Sequence, residues 1–118
     1  MADSDEQPDA PHPGSILRTE FLEPLGLSAN ALALALRVPA PRISELVRGR
    51  RGMTPDTALR LAQAFGAPAE FWLGLQTAHD LSLARAAEGA RITAEVEPVV
   101  GSDKPSRKAI NKVVKRYS

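Results

Sequence analysis

The sequence predicts an all-α fold: a compact five-helix domain between flexible N- and C-terminal tails. Apolar residues recur at helical spacing from Pro13 to about Ala87. Turn residues interrupt that pattern roughly every ten to fifteen positions. No stretch alternates apolar and polar residues with the β-branched enrichment of a strand.

The first helix opens at Pro13, a residue suited to a first turn, and places Leu17, Phe21 and Leu25 at i, i+4, i+8. Pro24 is expected to end it early, giving a helix over about 13–22. Ser28 is an N-cap for the second helix, which runs to about Arg37 with Leu32, Ala33 and Leu36 turned inward. Pro39 breaks the chain. A third helix follows over about 40–48, with Ile43, Leu46 and Val47 on its inner face and Gly49 as its stop. Thr54, Pro55 and Asp56 then supply a capping hydroxyl, a first-turn proline and an acid that the helix dipole favours. The fourth helix is expected to bury Ala58, Leu59, Leu61, Ala62 and Phe65 before Gly66 closes it. Pro68-Ala69-Glu70 starts a fifth helix over about 68–87, with no breaker until Gly89.

That fifth helix is apolar on more than one side. Phe71, Trp72, Leu75 and Ala78 make one stripe, while Leu73, Leu81, Leu83 and Ala84 lie partly outside it. Such excess apolar surface meets a second subunit or is covered by the chain's own tail. The homodimer reading puts Phe71, Trp72, Leu73, Leu75, His79 and Leu83 in the interface.

Three regions follow. Residues 1–11 are polar, acidic and expected to be disordered, residues 12–87 form the helical domain, and residues 88–118 form a mostly flexible basic tail. Within the tail, Ile92 to Val100 fits a short helix or strand limited by Pro98, and Gly101 to Ser106 reads as linker. Ile110, Val113, Val114 and Tyr117 recur at helical spacing among Lys and Arg, so an amphipathic helix on a partner is the alternative to a solvated end.

Composition excludes several classes. The 118 residues contain no Cys, so neither a disulfide framework nor a thiolate metal site is available. The N-terminus has no basic and apolar regions of a signal peptide, and the longest aliphatic run, Ala31 to Leu36, is too short to cross a bilayer. A cytoplasmic protein with no membrane partner is expected. His12 and His79 are too few and too separated for a metal site, and Glu70 and Asp80 make no catalytic pair. Gly49 to Gly52 lacks the spacing of a phosphate-binding nucleotide loop, and Phe71 and Trp72 read as core rather than as base-stacking platforms. No enzyme, cofactor or metal is expected.

The net charge of +1 conceals a pattern: residues 1–27 carry −5, residues 28–53 carry +4, residues 54–87 carry −1 and residues 88–118 carry +3. The cations of the basic centre are all arginines: Arg37, Arg42, Arg48, Arg50 and Arg51. Arginine grips phosphates and guanine edges through a rigid fork, so the cluster points to nucleic acid. With Ile43 at the centre of the buried side of the third helix, a 100° step per residue turns Pro41, Glu45 and Arg48 outward, with Arg42 and Ser44 beside them. Such a face fits a major groove, where arginine reads guanine O6 and N7 and a carboxylate accepts from cytosine N4. Arg50 and Arg51, in the loop that follows, fall near the phosphates framing the groove.

Several stretches carry a family resemblance. They are His12-Pro13-Gly14-Ser15-Ile16-Leu17-Arg18, Leu22-Glu23-Pro24-Leu25-Gly26-Leu27-Ser28, Glu45-Leu46-Val47-Arg48-Gly49-Arg50-Arg51-Gly52, and Pro68-Ala69-Glu70-Phe71-Trp72-Leu73 followed by Leu75-Gln76-Thr77-Ala78-His79-Asp80-Leu81. With these, residues 12–87 resemble the HigA antitoxin family of the Xre/Cro-type helix-turn-helix superfamily, about two-thirds of the chain. The resemblance implies a lambda-repressor-like domain that dimerises on operator DNA in its own promoter. It also implies a partner, a RelE/HigB-like mRNA-cleaving toxin. By position, it assigns base reading to Ala40, Pro41, Arg42 and Glu45, with Ser44 nearby. Backbone contacts fall on Ser28, Ala29, Arg50, Arg51 and Thr54, joined by Arg48.

There are departures from the pattern. Many relatives clamp a phosphate with Gln where this chain has Ala29, with Asn30 as the neighbouring substitute. Ala40 and Pro41 are apolar, so reading there reduces to contact with a thymine methyl. Leu34 faces outward on the second helix. Two alternatives follow: an antitoxin that binds protein but not DNA, and a stand-alone transcriptional regulator without a toxin.

Overall fold

The computed structural model of the chain describes residues 10–100 and 106–118, and the expected acidic leader and linker fall largely outside these residues. The described residues form six helices and no strand. Contacts divide the chain into a first unit ending at Ala87 and a second beginning at Glu88.

Helix α1 is made of three contiguous segments: Pro13–Ile16, a π-helical stretch Leu17–Leu22, and Glu23–Leu25. It does not end before Pro24 as the sequence predicts. A proline inside an α-helix clashes with the carbonyl four residues back and removes one ladder bond. The π-helical stretch widens the ladder ahead of it, so that the Glu23 N–H reaches the Arg18 carbonyl five residues back. The inner face changes accordingly. Leu17 and Leu22, five apart, are buried, whereas Leu25, expected inside, is 62% exposed. Gly26, at φ 63°, then ends the helix in the left-handed region open to glycine.

Helix α2 spans Ala29–Leu36, and the Ser28 hydroxyl accepts the Ala31 N–H at 3.0 Å as its N-cap. Leu32, Ala33 and Leu36 are buried as expected. Helix α3 spans Ala40–Val47 and buries Ile43 and Leu46 completely. Helix α4 spans Pro55–Phe65, capped by Thr54 through the Thr57 N–H. Ala58 and Leu61 are buried, but Leu59 is 64% exposed because it lies nearly opposite Leu61 around the helix.

Helix α5 spans Ala69–Glu95, passing the expected stop near Gly89. A single glycine costs a helix only about 1 kcal/mol, and the residues around it supply support. Arg91 pairs with Glu88 three residues before it and Glu95 four residues after it. Helix α6, Ser106–Tyr117, forms where a solvated basic end is expected. No Gly or Pro interrupts residues 106–117, Ile110, Val113, Val114 and Tyr117 share one side, and Lys115 and Arg116 complement the dipole in the last turn. That apolar side stays exposed.

Within the first unit, the core is closed by aromatic rings from three helices. Trp72 of α5 is fully buried, with Phe21 of α1 4.8 Å away, Phe71 at 5.0 Å and Phe65 of α4 at 6.3 Å between ring centroids. Its indole Nε1 donates to the Ala67 carbonyl at 3.2 Å, which satisfies the one polar atom of the ring.

Helix α1 meets α3 at Gly14. A Cβ added there would lie 1.7 Å from the Leu46 carbonyl oxygen, which is backbone and has nowhere to go. Gly14→Ala is therefore expected to destabilise the protein by about 3 kcal/mol, the upper range for overpacking, read as a lower urea midpoint at unchanged m-value.

Candidate nucleic-acid interface

The turn joining α2 to α3 is built from Arg37, Val38 and Pro39. Arg37 takes the left-handed conformation at φ 63°, and the Val38 N–H donates back to the Ala33 carbonyl at 3.0 Å. Pro39 then starts α3 from an extended backbone conformation, φ −63° and ψ 144°. Burial of Val38 against the core and of Ile43 and Leu46 fixes the rotation of α3 about its axis.

The opposite side of α3 is open. Ala40, Pro41 and Arg48 are exposed, and Arg42, Ser44 and Glu45 are half-buried beside them. Around this face, Asn30 and Arg50 are exposed, Ala29 is half-buried, and the exposed Ser28 and Thr54 use their hydroxyls as helix caps. Leu34 on α2 is 73% exposed. Arg48 and Arg50 make no ion pair among the described residues.

The charged residues on the face are not independent. Arg42 Nη1 donates to Asp56 Oδ2 at 2.5 Å, and Arg60 Nε donates to the same oxygen at 2.9 Å. Arg60 Nη1 also donates to the Leu36 carbonyl at 3.0 Å, tying the group to the end of α2. These hydrogen bonds, from Arg60 and then Arg42, hold the Asp56 carboxyl below its usual range. Arg51 turns towards α3, where its Nε and Nη2 donate to Glu45 Oε1 at 3.2 and 2.8 Å.

The loop carrying Arg50 and Arg51 is held at both ends. The Arg50 N–H donates to the Glu45 carbonyl at 2.8 Å, and the Met53 N–H donates to Gln76 Oε1 of α5 at 2.6 Å. Gln76 is steadied in turn by Asp80, whose Oδ1 accepts from Nε2 at 2.9 Å. From the sequence, Asp56 has only a dipole role and Gln76 none. The i, i+4 spacing of Asp56 and Arg60 was the one available signal for the first; nothing local announces a contact between residues 53 and 76.

His12 and His79 have packing roles. The His12 Nδ1 accepts the Gly14 N–H at 2.9 Å and so caps α1, and its ring meets that of His79 edge-on at 5.0 Å. His79 Nδ1 lies 2.9 Å from the Ala10 carbonyl, while the buried Ser82 hydroxyl accepts the Ala10 N–H at 3.1 Å. The chain is thus pinned at Ala10, inside the stretch expected to be disordered. Trp72, expected at a dimer interface, is fully buried in the core of this chain. Among the described residues there is no cluster fit to hold a metal ion, and no helix is long and apolar enough to cross a membrane.

Two helices set across a tight turn, the second with an open polar and basic face, define a helix-turn-helix DNA-binding domain. Residues 19–72 match the family described as helix-turn-helix. Virulence-associated protein I of Dichelobacter nodosus is 58% identical over 83 residues, 70% of this chain and 76% of that one. Antitoxin HigA-1 of Vibrio cholerae is 44% identical over 68 residues, 58% of this chain and 64% of that one. The solved structure of Pseudomonas aeruginosa antitoxin HigA with the higBA promoter shares 45% identity at a TM-score of 0.74, covering 77% of this chain and 99% of that one. The chain belongs to the HigA antitoxin family, whose members are helix-turn-helix proteins rather than enzymes.

The His12 cap generates a pH dependence. Burial, then His79, lowers the His12 pKa below its ordinary 6.5, against an opposing pull from Asp80. The unfolded chain therefore takes up this proton more readily than the folded one. The contribution of His12 is complete above 6.5 and is lost as pH falls below it. The melting temperature should drop between about pH 7.5 and about pH 5.5, and His12→Asn, which keeps a capping acceptor, should flatten that drop in a circular-dichroism melt.

Proposed function

We propose that the chain is an operator-binding antitoxin that represses its own promoter as a homodimer and neutralises a RelE/HigB-like, mRNA-cleaving toxin. One observation carries the DNA-binding half of this reading: the side of α3 opposite Ile43 and Leu46 is open to solvent and bears Arg42, Ser44, Glu45 and Arg48. In a major groove, Arg42 reads a guanine, Glu45 accepts from a cytosine, Ser44 bonds a neighbouring base edge, and Ala40 and Pro41 meet thymine methyls. Ser28, Ala29 and Asn30 at the start of α2, with Arg48, Arg50, Arg51 and Thr54, contact the flanking phosphates. The Pseudomonas aeruginosa relative, solved with its promoter, supports this reading.

Two copies of α3 enter successive major grooves about 34 Å apart. The dimer forms through α5, where Phe71, Gly74, Ala78 and Leu81 share one exposed side. Gly74 and Ala78 let a second backbone approach, and Phe71 and Leu81 supply apolar area. Leu73 and Leu75 are half-buried within the subunit, His79 is engaged with Ala10, and Leu83 is exposed on another side. Ala78→Arg is expected to convert the dimer to monomer in sedimentation equilibrium and to weaken operator binding.

Ala29, Ala40 and Pro41 offer DNA no polar side chain, and they favour a second reading in which the antitoxin binds only its toxin. A gel shift with the DNA upstream of the gene separates the two readings. Arg42→Ala should cost about 1–3 kcal/mol on the operator and relax base preference, whereas Arg50→Ala should weaken all duplexes alike and flatten the salt slope. Unchanged operator affinity in Arg42→Ala would remove α3 as the reading helix. Co-purification with the product of the adjacent gene tests the toxin and excludes a stand-alone regulator.

A further inference from the structure

We infer that Asp56 is a positioning residue for base recognition: it holds the Arg42 guanidinium in the orientation that reads guanine. This rests on the reading of α3 as the groove-entering helix. Asp56 sits in the first turn of α4, after the Thr54 cap and Pro55, on backbone fixed by the burial of Thr57 and Ala58. Its Oδ2 receives Arg42 Nη1 and Arg60 Nε, and Arg60 is anchored to the Leu36 carbonyl. The Arg42 side chain is therefore braced from the ends of α2 and α4 as well as from its own helix.

The chemistry of the fork matters. Guanidinium carries five N–H donors, and a bidentate guanine contact needs one edge of them. Asp56 takes Nη1, so the edge formed by Nε and Nη2 stays available to guanine O6 and N7. An unbraced arginine on an eight-residue helix has many rotamers and finds phosphates as readily as bases. The brace discourages that choice. Glu45 has no such anchored brace: Arg51 occupies only its Oε1, through an exposed pair, and leaves Oε2 for a donor.

A carboxylate beside DNA repels the phosphates of every duplex. Asp56 therefore weakens binding in general while sharpening it at one base pair, and the two effects have opposite signs in a variant. This separates positioning from any role in folding or capping, which would change binding to all sequences by a common factor.

The experiment uses the full-length chain and a pool of randomised duplexes, from which the wild type selects its site. Dissociation constants are then measured for that site, for the same site with each other base pair at the position relaxed by Arg42→Ala, and for an unrelated duplex. Asp56→Asn is expected to lower discrimination at that base pair about three- to tenfold, a fraction of what a full bidentate contact provides. Its affinity for the unrelated duplex should hold or rise. Asp56→Glu should retain most of the discrimination, and Asp56→Asn should add nothing once Arg42 is alanine. If Asp56→Asn shifts all duplexes by one factor, tighter or weaker, the positioning role is overturned and the reading of α3 stands. If the wild type selects no site, or Arg42→Ala relaxes no position, the reading of α3 falls and the role of Asp56 with it.

Discussion

Everything at the proposed DNA surface depends on how α3 is rotated, and two side chains set that rotation. Ile43 and Leu46 are completely enclosed, each contributing about 1.5–3 kcal/mol by leaving water. No other rotation of α3 keeps both enclosed. The cost of unburying either exceeds the ~0–1 kcal/mol that an ion pair on the outer face supplies, so the outward direction of Pro41, Glu45 and Arg48 follows from the core. Gly14 adds the second restraint, since its missing side chain lets α1 press against the backbone at Leu46.

The outer face is held together by weaker forces. The pairs of Arg42 with Asp56 and of Glu45 with Arg51 join half-exposed groups, and such pairs contribute only about 0–1 kcal/mol each. They bias side-chain orientation without locking it. Arg51 shows the consequence: the sequence assigns it to a phosphate, the structure turns it towards Glu45, and the difference in energy is small enough for DNA to reverse. The anchored group of Arg42, Asp56 and Arg60 is stiffer because one member is also bound to backbone.

What was legible in the sequence was local. Ser28, Thr54, Gly49 and Gly66 mark the helix ends because caps and stops depend on residues within one turn. Leu32, Leu36, Ile43 and Leu46 announce their faces by spacing alone. The errors have a common origin in non-local packing. Trp72 packs inside the chain against Phe21 and Phe65, 51 and 7 residues away. Leu59 is the exception, since its angular position on α4 already turns it away from the side of Leu61. Gln76 and Asp56 act on residues 23 and 14 positions distant, a range at which no periodicity reports.

The π-helical stretch Leu17–Leu22 has a further implication for how this domain tolerates change. A π turn amounts to an α-helix holding one surplus residue, kept because the surroundings reward it. Removing one residue from that stretch would let an ordinary ladder close, yet would swing Glu23 to Leu25 by about 100° relative to the aromatic cluster and set Pro24 against the preceding turn. Point substitutions at Arg18, Thr19 or Glu20, all exposed, leave the backbone path alone. In this helix, length is under tighter constraint than composition.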